Sequence, residues 1–224
     1  MISAPDYYSV IHSLKSAFSS RYEDKPVGHI RLIGILFAPI GAPLAQAEII
    51  PRLNDFHHRT GNNIDFFLAG YGSSCPPPSY VPVPDASSEG WCYSSVAFNS
   101  FCNHLESHTK WTYKGGCELL LANAKYKKKS EQVSIDFKTA IVCDLDKMKA
   151  DGAIGSVQRF FEDIFQYAKS CSGEDPAWGF SDKMASESTK SALLLFVLSL
   201  LPKNLGKDVH RLQHFAVRDI SPHI

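Results

Sequence analysis

The sequence has no excess of charge of either sign. Its 23 Lys and Arg residues balance its 23 Asp and Glu residues, which gives a formal net charge of zero at pH 7. A chain without net charge produces no long-range electrostatic field that would attract a polyanion. Nor would such a field draw the protein to an acidic membrane surface. We therefore expect neither nucleic acid nor a membrane among its partners.

Long apolar segments are missing as well. The most apolar stretch, residues 192–201, is only half of the roughly 20 residues that a membrane-spanning helix needs. Residues 1–10 lack the basic segment, the apolar run and the small-residue cleavage site of a secretory signal. These features predict a cytoplasmic protein.

No two cysteines have the spacing of a redox or zinc motif. The six cysteines are Cys75, Cys92, Cys102, Cys117, Cys143 and Cys171. Since no two of them are separated by two residues, the pattern argues against a CxxC pair and a zinc ribbon. In the cytoplasm we expect reduced thiols that pack as small hydrophobic side chains. We expect no metal ion and no other cofactor.

What the sequence does contain is an alternation of helix and strand patterns. Apolar residues at helical spacing predict an N-terminal helix within residues 1–27. Residues 29–38 and 64–69 have the composition of strands buried on both faces. The helical stripe between them, residues 44–59, contains Pro51, which should kink it. A strand, a helix and a strand in this order predict a parallel crossover.

The second half of the chain continues the alternation after a Pro- and Ser-rich loop at residues 72–92. We expect a helix over 96–107, an antiparallel hairpin from the runs 117–124 and 133–145, and a helix over 154–168. Past a polar linker, the pattern predicts helices over 182–201 and 209–217. The expected organisation is an N-terminal helix at 1–27, a central domain at 28–170 and a C-terminal helical extension at 171–224.

Over about residues 30–168 this order of elements resembles the thioredoxin fold. Residues 35–38 look like the first central strand, residues 48–53 like the active-site helix with its kinking proline, and residues 64–67 like the next strand. The resemblance implies an α/β fold with a thioredoxin-like central mixed sheet flanked by helices. The N-terminal helix and the C-terminal helical extension would be additions to that fold.

The residues that would carry thiol exchange are absent from the matching positions. Counted back from Pro51, the family's two cysteines fall on about Pro43 and Gln46, and Gly116-Cys117 stands where the family places a cis-proline. Thiol exchange needs a thiolate of low pKa at a helix amino terminus. We therefore expect a redox-inactive module that binds another protein or a peptide, rather than an enzyme.

The predicted binding groove combines the turn after the first central strand, the start of the kinked helix, the end of the long loop and the turn before the hairpin. Its residues are Pro39, Gly41, Pro43, Gln46, Trp91, Gly116 and Cys117. Free amides at a helix amino terminus suit an anion or a peptide carbonyl, although an ordinary turn explains the same glycine and prolines. A reactive Cys117 is an alternative to a packing role for that thiol.

A second function is also compatible with the sequence. Glu118 on one hairpin strand and Asp136 and Lys138 on the other resemble the metal site of restriction-type nucleases, in which acids hold a divalent ion and a lysine stabilises developing charge. The alternative to the binding module is therefore a metal-dependent nuclease or phosphodiesterase. Alternating polar residues are, however, also typical of any solvated strand face.

The C-terminal extension contains a segment, residues 193–198, that is apolar on every side of a helix. Such a helix must be covered by other protein surface. It predicts contact with a partner or a homo-oligomer formed through this helix.

Overall fold

The computed structural model describes residues 1–21, 29–60, 64–73, 79–83, 90–171 and 217–219. The helix predicted over 182–201, with the apolar segment 193–198, lies outside the described residues. So do residues 209–216 of the last predicted helix. None of the helices in the described part of the chain has the length and apolar character that crossing a membrane requires.

The described chain is a mixture of strands and helices. The strands are β1 Ile2–Ala4, β2 His29–Phe37, β3 Asp65–Ala69, β4 Tyr71–Gly72, β5 Val81–Pro82, β6 Cys92–Tyr93, β7 Glu118–Lys127, β8 Gln132–Asp144 and β9 Val217–Asp219. The α-helices are α1 Tyr7–Arg21, α2 Leu53–Thr60, α3 Ser95–His108, α4 Leu145–Ala150 and α5 Val157–Cys171. The predicted α/β class is confirmed.

Six strands form one mixed sheet in the order β1-β3-β2-β7-β8-β9. Strand β3 pairs in parallel with both β1 and β2, whereas β2 with β7, β7 with β8, and β8 with β9 are antiparallel. The predicted parallel pair and the predicted hairpin are therefore confirmed. Val217, which was expected to end a helix, instead begins β9 and pairs with Cys143.

Helices cover both faces of this sheet because successive strand residues point to opposite sides. On one face, the Phe37 ring packs edge-on against Phe98 and Phe101 of α3. On the other face, Phe66 contacts Phe161 and Phe165 of α5. The central strands are consequently buried on both sides, as their apolar composition predicts.

The chain begins with a strand that the sequence pattern did not indicate. Ile2 pairs with Phe67 and Ala4 with Ala69, which places β1 at one edge of the sheet. The helix starts only at Tyr7, after Asp6 accepts the Ser9 amide at 2.7 Å. Three residues are too few for a strand alternation to be recognised, so the expectation of a helix alone in this region was incomplete.

Pro51 interrupts the helix after β2, as predicted. Residues Ala45–Ile49 form a π-helical turn, Ile50–Arg52 form a 3₁₀ turn, and regular α-helix begins at Leu53. A proline has no amide hydrogen and crowds the preceding turn, so the hydrogen-bond ladder has to change at this point.

The predicted long loop contains ordered structure. Within it, β5 pairs with β6, and β6 pairs with β4, so that the three short strands form a second sheet. Cys92 in β6 is disulfide-bonded, so the expectation of reduced thiols is wrong for this residue. Cys102, Cys117 and Cys143 are free and buried, as expected.

Candidate functional site

A cavity of about 870 Å³ opens where β2 ends and β7 begins. One wall is the turn after β2, with Pro39, Gly41 and Pro43. A second wall is the turn before β7, with Gly115 and Gly116. Four residues of the predicted groove, Pro39, Gly41, Pro43 and Gly116, thus line one cavity, although they come from separate parts of the sequence.

The third wall of the cavity is the start of α4. It contributes Asp144, Asp146 and Lys147, while Glu118 from β7 also lines the cavity and Lys114 lies beside the glycine turn. The lining therefore combines small residues with charges of both signs. Such a surface is suited to a polar ligand more than to an apolar one.

Three residues of the predicted groove do not line this cavity. The Gln46 side chain turns back and donates to the Ile40 carbonyl at 3.2 Å. Trp91 is only 5% exposed, and its carbonyl accepts the Val83 amide in the second sheet. Cys117 is fully buried at the start of β7. The structure thus brings four of the seven predicted groove residues together at this cavity and places the other three outside its lining.

Cys117 is held in a state unsuited to nucleophilic attack. Burial raises the pKa of its thiol to about 12, and the nearby Asp146 carboxylate adds to this shift. The Ala45 amide, which donates to the sulfur, acts in the opposite direction but does not overcome burial. The neutral thiol therefore predominates at physiological pH.

The start of the kinked helix offers fewer free amides than the sequence predicted. The Ala45 amide is bound to the Cys117 sulfur. The Ala42 amide donates to Pro39 at 2.9 Å, the Gln46 amide donates to Ala42 at 3.0 Å, and Pro43 has no amide hydrogen. The idea that this helix start holds an anion is therefore not favoured by the geometry.

The turn before β7 is fixed by Asp146. Its carboxylate accepts the Cys117 amide at 2.5 Å and lies against Gly116, where an added Cβ would collide with it. Gly115 has a φ of +92°, a conformation that favours glycine. The Tyr113 hydroxyl donates to the Gly116 carbonyl at 2.9 Å. This wall of the cavity consequently has one defined conformation.

The two other carboxylates of the cavity also bind N–H groups of the protein. Glu118 is 1% exposed, and its Oε2 accepts the Trp111 indole N–H at 2.7 Å. Across the hairpin, Asp144 is the register partner of Glu118 and caps α4 by accepting the Lys147 amide at 3.0 Å. These acids therefore hold the walls of the cavity in place.

The three residues of the nuclease hypothesis do not come together. Asp136 is opposite Asn123, five residues along β7 from Glu118, which corresponds to about 17 Å at the usual rise per strand residue. The Asp136 carboxylate instead pairs with Lys125 at 2.7 Å. Lys138 lies in β8, on the same strand as Asp136. In the part of the chain that the structure describes, no group of three His, Cys, Asp or Glu residues is arranged to hold a metal ion.

Asp144, Asp146, Lys114 and Lys147 were missed by the sequence reasoning. A signal for two of them was present, because Asp144 ends the second hairpin strand and Asp146 follows two residues later. Antiparallel pairing brings the end of that strand beside the start of the first, where Gly116 and Glu118 lie. The hairpin prediction could therefore have located these acids at the cavity.

Comparison with known proteins identifies no relative. No protein-family model matches this chain, and no curated protein or solved structure matches it significantly. We therefore infer the function from the cavity and from the residues that form it.

Proposed function

We propose that this chain is a redox-inactive, thioredoxin-like module that binds a peptide segment of another protein in the cavity between β2, β7 and α4. The observation that carries the proposal is the cavity itself. It lies at the start of the kinked helix and beside a glycine turn, and none of its described lining residues is a cysteine.

The strand order supports the thioredoxin-like part of the proposal. Five strands follow the order β1-β3-β2-β7-β8, in which the first three are parallel to one another, β7 is antiparallel to β2, and β8 is antiparallel to β7. The kinked helix leaves β2 at the cavity, which is where the resemblance to the family would put a binding site. Open α/β sheets commonly bind ligands beyond the ends of such strands.

The state of the sulfur supports a role in binding rather than in electron transfer. Cys117 is a free cysteine between the cavity-lining residues Gly116 and Glu118, but it is buried and its pKa is raised to about 12. Gln46 and Pro43, at the positions of the family's cysteines, have no thiol. The site thus lacks the nucleophile that thiol exchange requires.

The form of the walls favours a peptide as ligand. Gly41 and Gly115 have no side chains and no neighbouring atom within 4 Å of the position a Cβ would take, so that a main chain can approach the backbone closely there. The lining ammonium groups of Lys114 and Lys147 and the carboxylates of Glu118, Asp144 and Asp146 carry charges of both signs, which suits both polar ends of a peptide group or charged side chains. An apolar small molecule would have to desolvate these charges.

Two glycines provide a matched test of the proposal. An added Cβ would meet no atom within 4 Å at Gly41, which lines the cavity, or at Gly155, which lies outside it. Peptides would be selected from a display library on the wild-type protein, and their affinities measured for Gly41→Trp and Gly155→Trp.

We expect Gly41→Trp to weaken the selected peptides at least tenfold and Gly155→Trp to leave their affinity unchanged. Failure to select any peptide, or equal binding to both variants, would contradict the proposal. Unfolding curves of the two variants would show that both retain the wild-type fold.

A further inference from the structure

One ion pair joins two walls of the cavity. Glu48 lies in the π-helical turn that continues from the wall at Pro43, and Lys149 lies in α4, the wall that contains Asp146. The Lys149 ammonium and the Glu48 Oε1 atom are 2.6 Å apart. Both side chains are partly exposed, at 34% for Lys149 and 23% for Glu48.

The same two side chains also hold the connection between α4 and α5. The Oε2 atom of Glu48 accepts the Val157 amide at 2.8 Å, at the start of α5. The Lys149 ammonium donates to the Gly155 carbonyl. One carboxylate oxygen of Glu48 therefore contacts α4, and the other contacts the start of α5.

The wall formed by α4 depends on such contacts. This helix has six residues, which is too short to be stable by itself. Its first turn is anchored by the Asp144 cap and by the Asp146 bond to the Cys117 amide. Lys149 is its side-chain anchor at the other end, next to the cavity-lining Ala150.

We propose that Glu48 and Lys149 form a clamp that sets the width of the cavity, and that acidification releases it. They are positioning residues, because neither lines the cavity and each acts through the wall that it holds. The clamp itself follows from contacts within the chain, and its effect on a ligand rests on the proposed function.

The charges around Glu48 determine how the clamp responds to pH. Burial favours a higher pKa for Glu48, but the hydrogen bonds from Lys149 and the Val157 amide and the charges of Lys149 and Arg52 outweigh it, so its pKa is lowered. Lys149 comes from α4, Arg52 from the helix that contains Glu48, and α5 contributes the Val157 amide. The carboxylate is thus charged at neutral pH, and the clamp opens only as the pH falls below the ordinary Glu pKa of about 4.3.

Hydrogen exchange measured by mass spectrometry tests the clamp without any ligand. The variants are Glu48→Gln, Lys149→Met and the conservative Lys149→Arg. Arg59→Met is the matched control, because the Arg59 guanidinium pairs with Glu162 at 2.8 Å, also between a helix and α5 but outside the cavity.

We expect the amides of residues 42, 44–46 and 145–150 to exchange roughly three to five times faster in Glu48→Gln and Lys149→Met, as suits a partly exposed ion pair. Lys149→Arg and Arg59→Met should exchange as the wild type does in these segments. As the pH is lowered from 6 to 3, after correction for intrinsic rates, the exchange of the wild type should approach that of Glu48→Gln, because the lowered Glu48 pKa keeps the carboxylate charged until the pH is below the ordinary Glu value; Glu48→Gln itself should change less.

Unchanged exchange in both clamp variants, an equal increase in Arg59→Met, or a wild type insensitive to pH would each overturn the clamp. These outcomes are separate from those of peptide selection. Faster exchange without any selectable peptide would leave the clamp standing and contradict the proposed function, whereas a bound peptide with unchanged exchange would do the reverse.

Discussion

The two ends of the β7–β8 hairpin carry the same kinds of charged residue in opposite settings. At the cavity end, Glu118 is 1% exposed and binds an indole N–H, and Asp144 and Asp146 bind backbone amides. At the other end, Asp136 pairs with Lys125, and their side chains are 13% and 44% exposed. Acids at the cavity end therefore bind N–H groups of the protein itself, whereas the acid at the far end belongs to a partly exposed ion pair.

The largest expected effect concerns the thiol at the cavity end. Because burial raises the pKa of Cys117 to about 12, roughly a thousandfold less thiolate is present at pH 7 than for a thiol of ordinary pKa. Alkylation of Cys117, followed by peptide mass spectrometry, should be slow in the native protein and fast in guanidinium. Native labelling as fast as that of a small thiol would show that Cys117 is a reactive group.

The next largest effect is a difference in the free energy of unfolding between carboxylate substitutions at the two ends of the hairpin. Glu118→Ala leaves the buried Trp111 N–H without its acceptor and should lower the free energy of unfolding by about 3 kcal/mol. Asp136→Ala removes a partly exposed ion pair and should cost less than about 1 kcal/mol. Urea unfolding measures both. Equal losses would mean that the two ends do not differ as described.

A somewhat smaller loss is expected at the glycine turn. A Cβ at Gly116 collides with the Asp146 carboxylate, so Gly116→Ala should destabilise the fold by about 2 kcal/mol. Gly155→Ala, where the space is open, is the control. If the collision is the cause, adding Asp146→Ala to Gly116→Ala should cost less than the sum of the single losses. Simple additivity would disprove this explanation.

The smallest effect is the dependence of stability on pH through Glu48. Its folded-state pKa is lowered, so its contribution is present above the ordinary Glu pKa and is lost as the pH falls through the folded value. The wild type should therefore lose more stability than Glu48→Gln between pH 6 and pH 3, by less than about 1 kcal/mol. Parallel stability curves for the two proteins would contradict a role for this carboxylate.

Apolar runs and apolar periodicity were sufficient to predict the central architecture. The strands at 29–38 and 64–69 follow from nearly continuous apolar composition, and the hairpin and the flanking helices follow from segments long enough to show a pattern. The edge strand Ile2–Ala4 and β9 have three residues each, and their pairing depends on distant strands. Such short strands are determined by tertiary contacts rather than by local pattern.

The parts of the candidate site that could be predicted from the sequence are those formed by backbone turns. Pro39, Gly41, Pro43 and Gly116 mark turns by their composition, and these turns form cavity walls. Gln46 and Trp91 do not line this cavity, because the direction of a side chain depends on neighbours that the sequence does not specify. For the same reason the ion pair between Glu48 and Lys149, which are far apart in sequence, carried no local signal.

An NMR titration with a selected peptide tests the difference between the two hairpin ends most directly. If the cavity binds the peptide, the amide signals of Gly41, Gly115, Gly116 and Lys147 should shift, while those of Lys125 and Asp136 stay in place. Shifts confined to Lys125 and Asp136 would contradict the account, because binding would then occur at the end of the hairpin far from the cavity.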